Sequence, residues 1–175
     1  MAEAHVTLVL GGAASGKSAH AETLASDGVR ETVYIATAEA LDDEMRGKIA
    51  AHRARRGAAW RTVEAPLDLA DAIAAHDGPG AAILVDCLTL WLSNLLGAGR
   101  DAAGETEKLV AVLSAARGRI VLVSNEIGLG LVPENALARS FRNLQGMLNQ
   151  RVAAVAHRVV FVAAGLPLIL KGDGE

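Results

Sequence analysis

Short apolar runs alternate along this chain with stretches in which apolar residues return every third or fourth position. Residues 6–10, Val-Thr-Leu-Val-Leu, form a β-branched and aliphatic run that opens into a glycine turn, the pattern of a buried strand. Residues 18–25 then read as a helix carrying Leu24 and several alanines, and 32–36 as a second strand. Residues 42–56 have helical character, with Met45 and Ile49 one turn apart and charges between them. A short strand is predicted at 60–64. A helix follows at 66–75, with Pro66 near its start and Leu67, Leu69, Ala70 and Ile73 as core positions. The cluster His76-Asp77-Gly78-Pro79-Gly80 ends it. Residues 82–85 form a third strand-like run closed by Asp86, and 88–96 a helix. Residues 97–104 are the most loop-like stretch. The rest reads as a helix at 105–115, a strand at 120–124, a long helix at 135–156, a strand at 159–163 and a last strand at 168–170, after Pro167. Strands alternating with helices predict a single α/β domain over residues 1–175, with a mostly parallel β-sheet and flanking helices. Ligands of such sheets sit at the carboxyl ends of the strands, which here are Leu10, Ala36, Asp86 and Asn125.

The first of those ends carries a complete phosphate-binding loop, Gly11-Gly12-Ala13-Ala14-Ser15-Gly16-Lys17-Ser18, set between an apolar strand and a helix. Its glycines let the backbone turn tightly enough to point several N–H groups at phosphate oxygens. The helix adds the positive end of its dipole. Lys17 is expected to reach the β- and γ-phosphates, and the Ser18 hydroxyl to hold Mg²⁺. Asp86 ends the run Ala82-Ile83-Leu84-Val85, which resembles the strand that brings a carboxylate to the metal in such sites. It is placed either there or as the cap of the next helix, and one residue can serve both ends.

Among the five histidines, His52 stands apart. On a helix, Lys48, His52 and Arg56 share one face, and Arg53 and Arg55 flank it. The cations suit a triphosphate and disfavour imidazolium, leaving a neutral ring able to attack an α-phosphorus. The same pattern also fits a solvated basic face. Asn125 and Glu126 end a strand on the ligand side, where they either touch phosphate, metal or substrate or fix a turn. Arg139, Arg142 and Arg151 on the long helix are assigned to structure, pairing with acids or lining a subunit contact.

Composition narrows the function further. The chain has 175 residues, a net charge of −3 and a pI near 6.0. With few aromatics as well, nothing resembles a nucleic-acid footprint, which counts against a motor-like module bound to DNA or RNA. The lone Cys87 cannot form an intrachain disulfide. Charged, glycine or proline residues interrupt both candidate membrane spans, at 81–96 and 152–170. With no basic leader at the N-terminus, a cytoplasmic location is expected.

Several segments together are more specific than the phosphate loop. They are Tyr34-Ile35-Ala36-Thr37-Ala38, His52-Arg53-Ala54-Arg55-Arg56, Trp60-Arg61-Thr62-Val63-Glu64, Val85-Asp86-Cys87-Leu88-Thr89-Leu90-Trp91, Val123-Ser124-Asn125-Glu126-Ile127-Gly128 and Val132-Pro133-Glu134-Asn135. With the loop, they resemble the bifunctional adenosylcobinamide kinase / adenosylcobinamide-phosphate guanylyltransferase family over most of the chain. The resemblance implies a RecA-like P-loop domain, assembled as a homotrimer. It implies two reactions: ATP or GTP phosphorylates adenosylcobinamide, and GMP then passes from GTP to that phosphate through a guanylylated histidine, giving adenosylcobinamide-GDP. His52 matches that histidine. The family's nucleotide contacts map onto Gly11 to Ser18, Ala36, Thr37, Ala38, the stretch Arg53, Ala54, Arg55 and Arg56, Glu64 and Asp86. A single-activity small-molecule kinase is the alternative. The sequence departs from the family at Ala14, where many relatives carry arginine, and at Gly57, where a proline is common.

Overall fold

The computed structural model describes residues 5–29, 31–38 and 60–172, and in them seven strands form one sheet with helices on both faces. The strands are β1 (His5–Gly11), β2 (Thr32–Ala36), β3 (Trp60–Glu64), β4 (Ala82–Asp86), β5 (Arg119–Asn125), β6 (Arg158–Ala163) and β7 (Leu166–Lys171). They lie in the order β3-β2-β4-β5-β1-β6-β7. Every pairing is parallel except the last, where β7 runs back along β6. The helices are α1 (Lys17–Ser26), α2 (Leu69–His76), α3 (Leu88–Gly97), α4 (Ala102–Ser114) and α5 (Ala136–Val155). The segment 42–56, read as helical from its pattern, lies outside the described residues.

Period-two alternation divides the sheet's side chains between two cores. Leu8, Ile35, Ile83, Ile120 and Leu122 meet Leu69, Trp91, Leu109 and Leu148 from α2 to α5. On the other face Val9, Leu84, Val121, Val123 and Val160 meet Ala21 and Ala25 of α1. Because both faces are covered, the central strands carry nearly continuous apolar runs. That is why 6–10, 82–85 and 120–124 were legible as strands.

The predicted helix starts differ for local reasons. Residues 66–75 were expected to be helical throughout, but α2 begins at Leu69. The carbonyls of Pro66 and Leu67, which a first turn would use, accept instead from Asn94 Nδ2 at 3.1 Å and Trp91 Nε1 at 2.8 Å. The loop expected over 97–104 is shorter, because α4 already starts at Ala102. Asp101 caps it, accepting from the Ala103 N–H at 3.2 Å. A Cβ on Gly104 would stand 2.7 Å from that carboxylate, so the glycine keeps the cap's space open. Asn135 caps α5 in the same way, accepting from the Ala138 N–H at 2.7 Å. Arg151 pairs with Glu107 across α4 and α5. Arg139 donates to the Pro133 and Glu134 carbonyls rather than to an acid. No helix among the described residues is long and apolar enough to cross a membrane.

Candidate active site

The residues after β1 turn directly into α1, and their backbone angles make the turn concave. Ala14 takes φ 55° and Gly16 φ 93°, two left-handed positions two residues apart. Such a sequence of angles aims successive N–H groups into one hollow, which is how backbone binds an anion. Ala14 thus serves the cradle through its backbone, with no side chain long enough to reach phosphate. A Cβ on Gly11 would lie 2.4 Å from Ser15 Oγ and 2.6 Å from the Val162 carbonyl. A Cβ on Gly16 would lie 3.1 Å from the Gly165 Cα in the turn between β6 and β7, and the Gly165 N–H donates to the Ser15 carbonyl at 2.8 Å.

Gly11→Ala is therefore expected to destabilise the fold by about 1–3 kcal/mol, the usual range for overpacking. It should also weaken nucleotide binding, because relief must come from the loop. Urea unfolding and nucleotide titration read the two effects. Wild-type values in both would mean that the loop is not held against β6 as described.

Lys17, the first residue of α1, folds back so that Nζ donates to the Gly12 carbonyl at 3.0 Å. Ser18 follows in the first turn of the same helix. Asp86 ends β4 beside Ala36 of β2, and Ala36 lies beside Glu64 of β3, so three candidate contacts stand in a row along the carboxyl edge. Tyr34 Oη donates to Asp86 Oδ2 at 3.1 Å. The N-cap position of α3 falls on Cys87 rather than on Asp86, and the Cys87 side chain makes no cap hydrogen bond. Glu64 is exposed and four interstrand steps from β1, about 19 Å at the usual spacing.

Thr37 is fully buried, and its polar groups are engaged within the fold. Its N–H donates to the Asp86 carbonyl at 3.3 Å, its hydroxyl donates to the Cys87 carbonyl at 2.7 Å and accepts from the Cys87 N–H at 2.8 Å, and its own carbonyl accepts from Asn94 Nδ2 at 2.7 Å. It locks the ends of β2 and β4 together. Burial, and then the Asp86 carboxylate, push the Cys87 thiol up to about 11 against the opposing pull of the Leu90 and Thr89 backbone N–H groups and, last, the Lys17 ammonium. Cys87 is thus a neutral thiol at physiological pH, not a nucleophile. Burial, and then Arg158, hold the His20 imidazole below its ordinary range. His157 accepts the Val6 N–H through Nδ1 at 3.0 Å and stacks on His5, a structural role.

The structure brings together the loop, Lys17, Ser18, Ala36, Thr37, Ala38, Glu64 and Asp86 along one edge of the sheet. His52, Arg53, Ala54, Arg55 and Arg56 lie outside the described residues. Sequence reasoning missed Thr89, whose Oγ1 accepts the Asn125 N–H at 2.9 Å, and Asn149, which donates to the Asn125 carbonyl at 3.1 Å. Thr89 lies in one of the resembling segments and Asn149 on the long helix, but spacing gives no sign of the pairing. Farther along the α3 and α5 side, Ser93, Leu96, Ile127, Pro133, Phe141 and Arg142 line much of a mostly apolar cleft of about 630 Å³, within the range of small-molecule sites.

The family profile described as cobinamide kinase / cobinamide phosphate guanyltransferase matches residues 7–170. The chain belongs to this family. The chain is 51% identical over 168 residues to a Pseudomonas aeruginosa protein named bifunctional adenosylcobalamin biosynthesis protein CobP, covering 95% of this chain and 97% of that one. It is 42% identical over 179 residues to the Salmonella typhimurium protein named bifunctional adenosylcobalamin biosynthesis protein CobU, covering 94% and 98%. Membership in the cobinamide kinase / cobinamide phosphate guanyltransferase family makes this a bifunctional transferase of cobalamin biosynthesis, and the single-activity kinase is not favoured. Among solved structures, the chain resembles the flagellar accessory protein FlaH of Methanocaldococcus jannaschii with a TM-score of 0.55 at 13% identity, covering 98% of this chain and 80% of that one. It resembles a solved ATPase domain with a TM-score of 0.53 at 14% identity, covering 98% and 78%. These likenesses show the fold, a P-loop domain of RecA-like type.

Proposed function

We propose that this chain phosphorylates adenosylcobinamide at its free hydroxyl with ATP or GTP, and then guanylylates that phosphate through His52, yielding adenosylcobinamide-GDP. The observation that carries the reading is the loop itself. A left-handed nest, the amino end of α1 and the Lys17 ammonium converge at the end of β1, with Asp86 two strands away. Together they form an anion site able to hold a triphosphate and stabilise the charge that moves during transfer. In the first reaction the acceptor oxygen bonds to the γ-phosphorus, and the nucleoside diphosphate leaves. In the second, a ring nitrogen of His52 bonds to the α-phosphorus of GTP, the ring gives up its proton, and pyrophosphate departs. The acceptor phosphate then takes the guanylyl group, and the P–N bond breaks.

Mg²⁺ fits the donor set, since Ser18 and Asp86 offer a hydroxyl and a carboxylate, hard oxygens of the kind this ion takes alongside phosphate oxygens. Among the described residues no group of three or more histidine, cysteine or acidic side chains converges, which suits an ion held mainly by the nucleotide and water. When bound it would supply charge neutralisation between phosphate oxygens. Glu64, so far from β1, is assigned to the nucleoside end of GTP rather than to its phosphates. Arg53, Ala54, Arg55 and Arg56 are assigned to the triphosphate near His52. The assembly is proposed to be a homotrimer, for which exposed Leu129, Leu131 and Leu137 offer apolar contact surface. Its location is proposed to be the cytoplasm, with no nucleic acid partner.

The test is direct. Purified protein is mixed with adenosylcobinamide, GTP and Mg²⁺, and the products are separated. The phosphate should appear first and the GDP derivative after it. If a folded, nucleotide-binding preparation forms neither, the reading fails.

A further inference from the structure

The crevice between β1 and β5 holds a side chain that the proposed chemistry has not yet used. The chain leaves β1 through α1 on one face of the sheet and leaves β5 through α5 on the other. Parallel sheets take their ligands where adjacent strands send their connections in opposite directions. Gly11 and Asn125 stand opposite one another in register at that point. Along β5, Ile120 and Leu122 enter the core under α2 to α5, whereas Val121 and Val123 enter the core under α1. Alternation therefore sends the Asn125 side chain to the α1 side, which is the side of the phosphate loop.

Its backbone is fixed at every polar atom. The Asn125 N–H donates to Thr89 Oγ1 at 2.9 Å, and its carbonyl accepts from Asn149 Nδ2 at 3.1 Å. The next N–H, that of Glu126, donates to the Gly11 carbonyl at 3.0 Å and ties β5 to the start of the loop. Asn149 is held in turn, its Oδ1 accepting from Ser124 Oγ at 2.7 Å and from Gln145 Nε2 at 3.0 Å. Ser124, Gln145 and Asn149 are all buried between β5 and α5. What this network does is hold one carboxamide still beside the loop. The Oδ1 of that carboxamide is buried and has no hydrogen-bond partner among the described residues. Buried polar atoms in native proteins are nearly always paired, and an exception beside a binding loop points to a ligand that pairs it.

Resting on the kinase reading above, we propose that Asn125 aligns the two partners of phosphoryl transfer, its Oδ1 accepting from the attacking hydroxyl and its Nδ2 donating to a terminal-phosphate oxygen. A carboxamide carries one acceptor and two donor hydrogens at its tip, so it can bridge a hydroxyl and a phosphate as neither a carboxylate nor an ammonium can. The hydroxyl oxygen forms its bond to the γ-phosphorus as the bond to the β–γ bridging oxygen breaks. That electron pair leaves with the nucleoside diphosphate. The hydroxyl proton passes to solvent, since the amide orients and does not accept it. Guanylyl transfer breaks the bond between the α- and β-phosphates instead. A contact to the terminal phosphate changes little along that path, so it accelerates the first reaction and not the second.

The experiment separates the two reactions. Asn125→Ala and Asn125→Asp are assayed with ATP and the unphosphorylated acceptor, and then with GTP and an acceptor already phosphorylated. For Asn125→Ala, kcat of the first reaction should fall by about 10²-fold or more, as for loss of a preorganised contact to the reacting group. GMP transfer and KM for ATP should stay within about threefold, since neither depends on this alignment. Asn125→Asp keeps the side chain's shape if alanine disturbs the fold. It should lose the first reaction and also bind ATP less well, through repulsion between carboxylate and phosphate. The assignment is overturned if either folded variant phosphorylates at the wild-type rate, or if both reactions fall together while melting temperature and nucleotide affinity hold. A wild-type chain that binds nucleotide but phosphorylates nothing removes the kinase reading itself, and this assignment with it.

Discussion

Lys17→Ala should slow both phosphorylation and guanylylation by about 10²–10³-fold each, the loss typical of removing one preorganised donor from a developing charge. The two reactions break different bonds of the triphosphate, yet the same cation serves both. Lys17 leaves the first turn of α1 and curls back to the Gly12 carbonyl, so its charge already sits over the hollow in the backbone. In the variant, backbone N–H groups still cradle the phosphates, and residual binding should survive. Steady-state rates for each half-reaction, with thermal melting as a control for folding, give the answer. If one reaction keeps its wild-type rate, the loop does not serve that reaction, and a second triphosphate site must exist.

His52→Ala should divide the two activities. Guanylylation should fall to background, because the group that forms the covalent bond is gone and catalysis by a nucleophile has no partial substitute. Phosphorylation should remain within about tenfold, since it requires charge stabilisation and alignment rather than an imidazole. Incubation with GTP labelled at the α-phosphorus adds a second readout: the wild-type chain should retain acid-labile, base-stable label, and the variant none. Persistent GMP transfer by a label-free His52→Ala protein would replace the covalent route with direct attack by the acceptor phosphate.

How much of this was open to a reader of the sequence depended on whether the signal was local. The loop is eight consecutive residues between a strand and a helix, so its place in the fold was plain from composition and order alone. The central strands were equally plain, because burial on both faces leaves them almost wholly apolar. Pro66 misled for a physical reason: its preference for a first helical turn lost to side chains from α3, which take the carbonyls that turn would need. Glycines at 97, 99 and 104 hid the start of α4, although Asp101 is a good cap and Gly104 is part of its geometry. The setting of Asn125 was hidden more deeply. Its partners Thr89 and Asn149 lie 36 and 24 residues away in sequence, and only the sheet order brings them together. Thr37 shows the converse: its place in a resembling segment suggested a ligand contact, while its hydroxyl is turned inward to join two strands.

The edge hairpin of β6 and β7 looks remote from chemistry, with Leu166, Leu168 and Leu170 open to solvent. Yet its turn touches the phosphate loop backbone to backbone, glycine against glycine, and moors it through the Ser15 carbonyl. Position 16 has no room for a side chain in this approach, while position 165 faces open space and takes glycine for its φ of 77°. Residues 16 and 165 therefore serve one contact for two different reasons, space at the first and backbone angle at the second. A bulkier residue at 16 would push the hairpin off its berth and leave the loop slack, whereas one at 165 would find room but strain the turn whose N–H holds the Ser15 carbonyl.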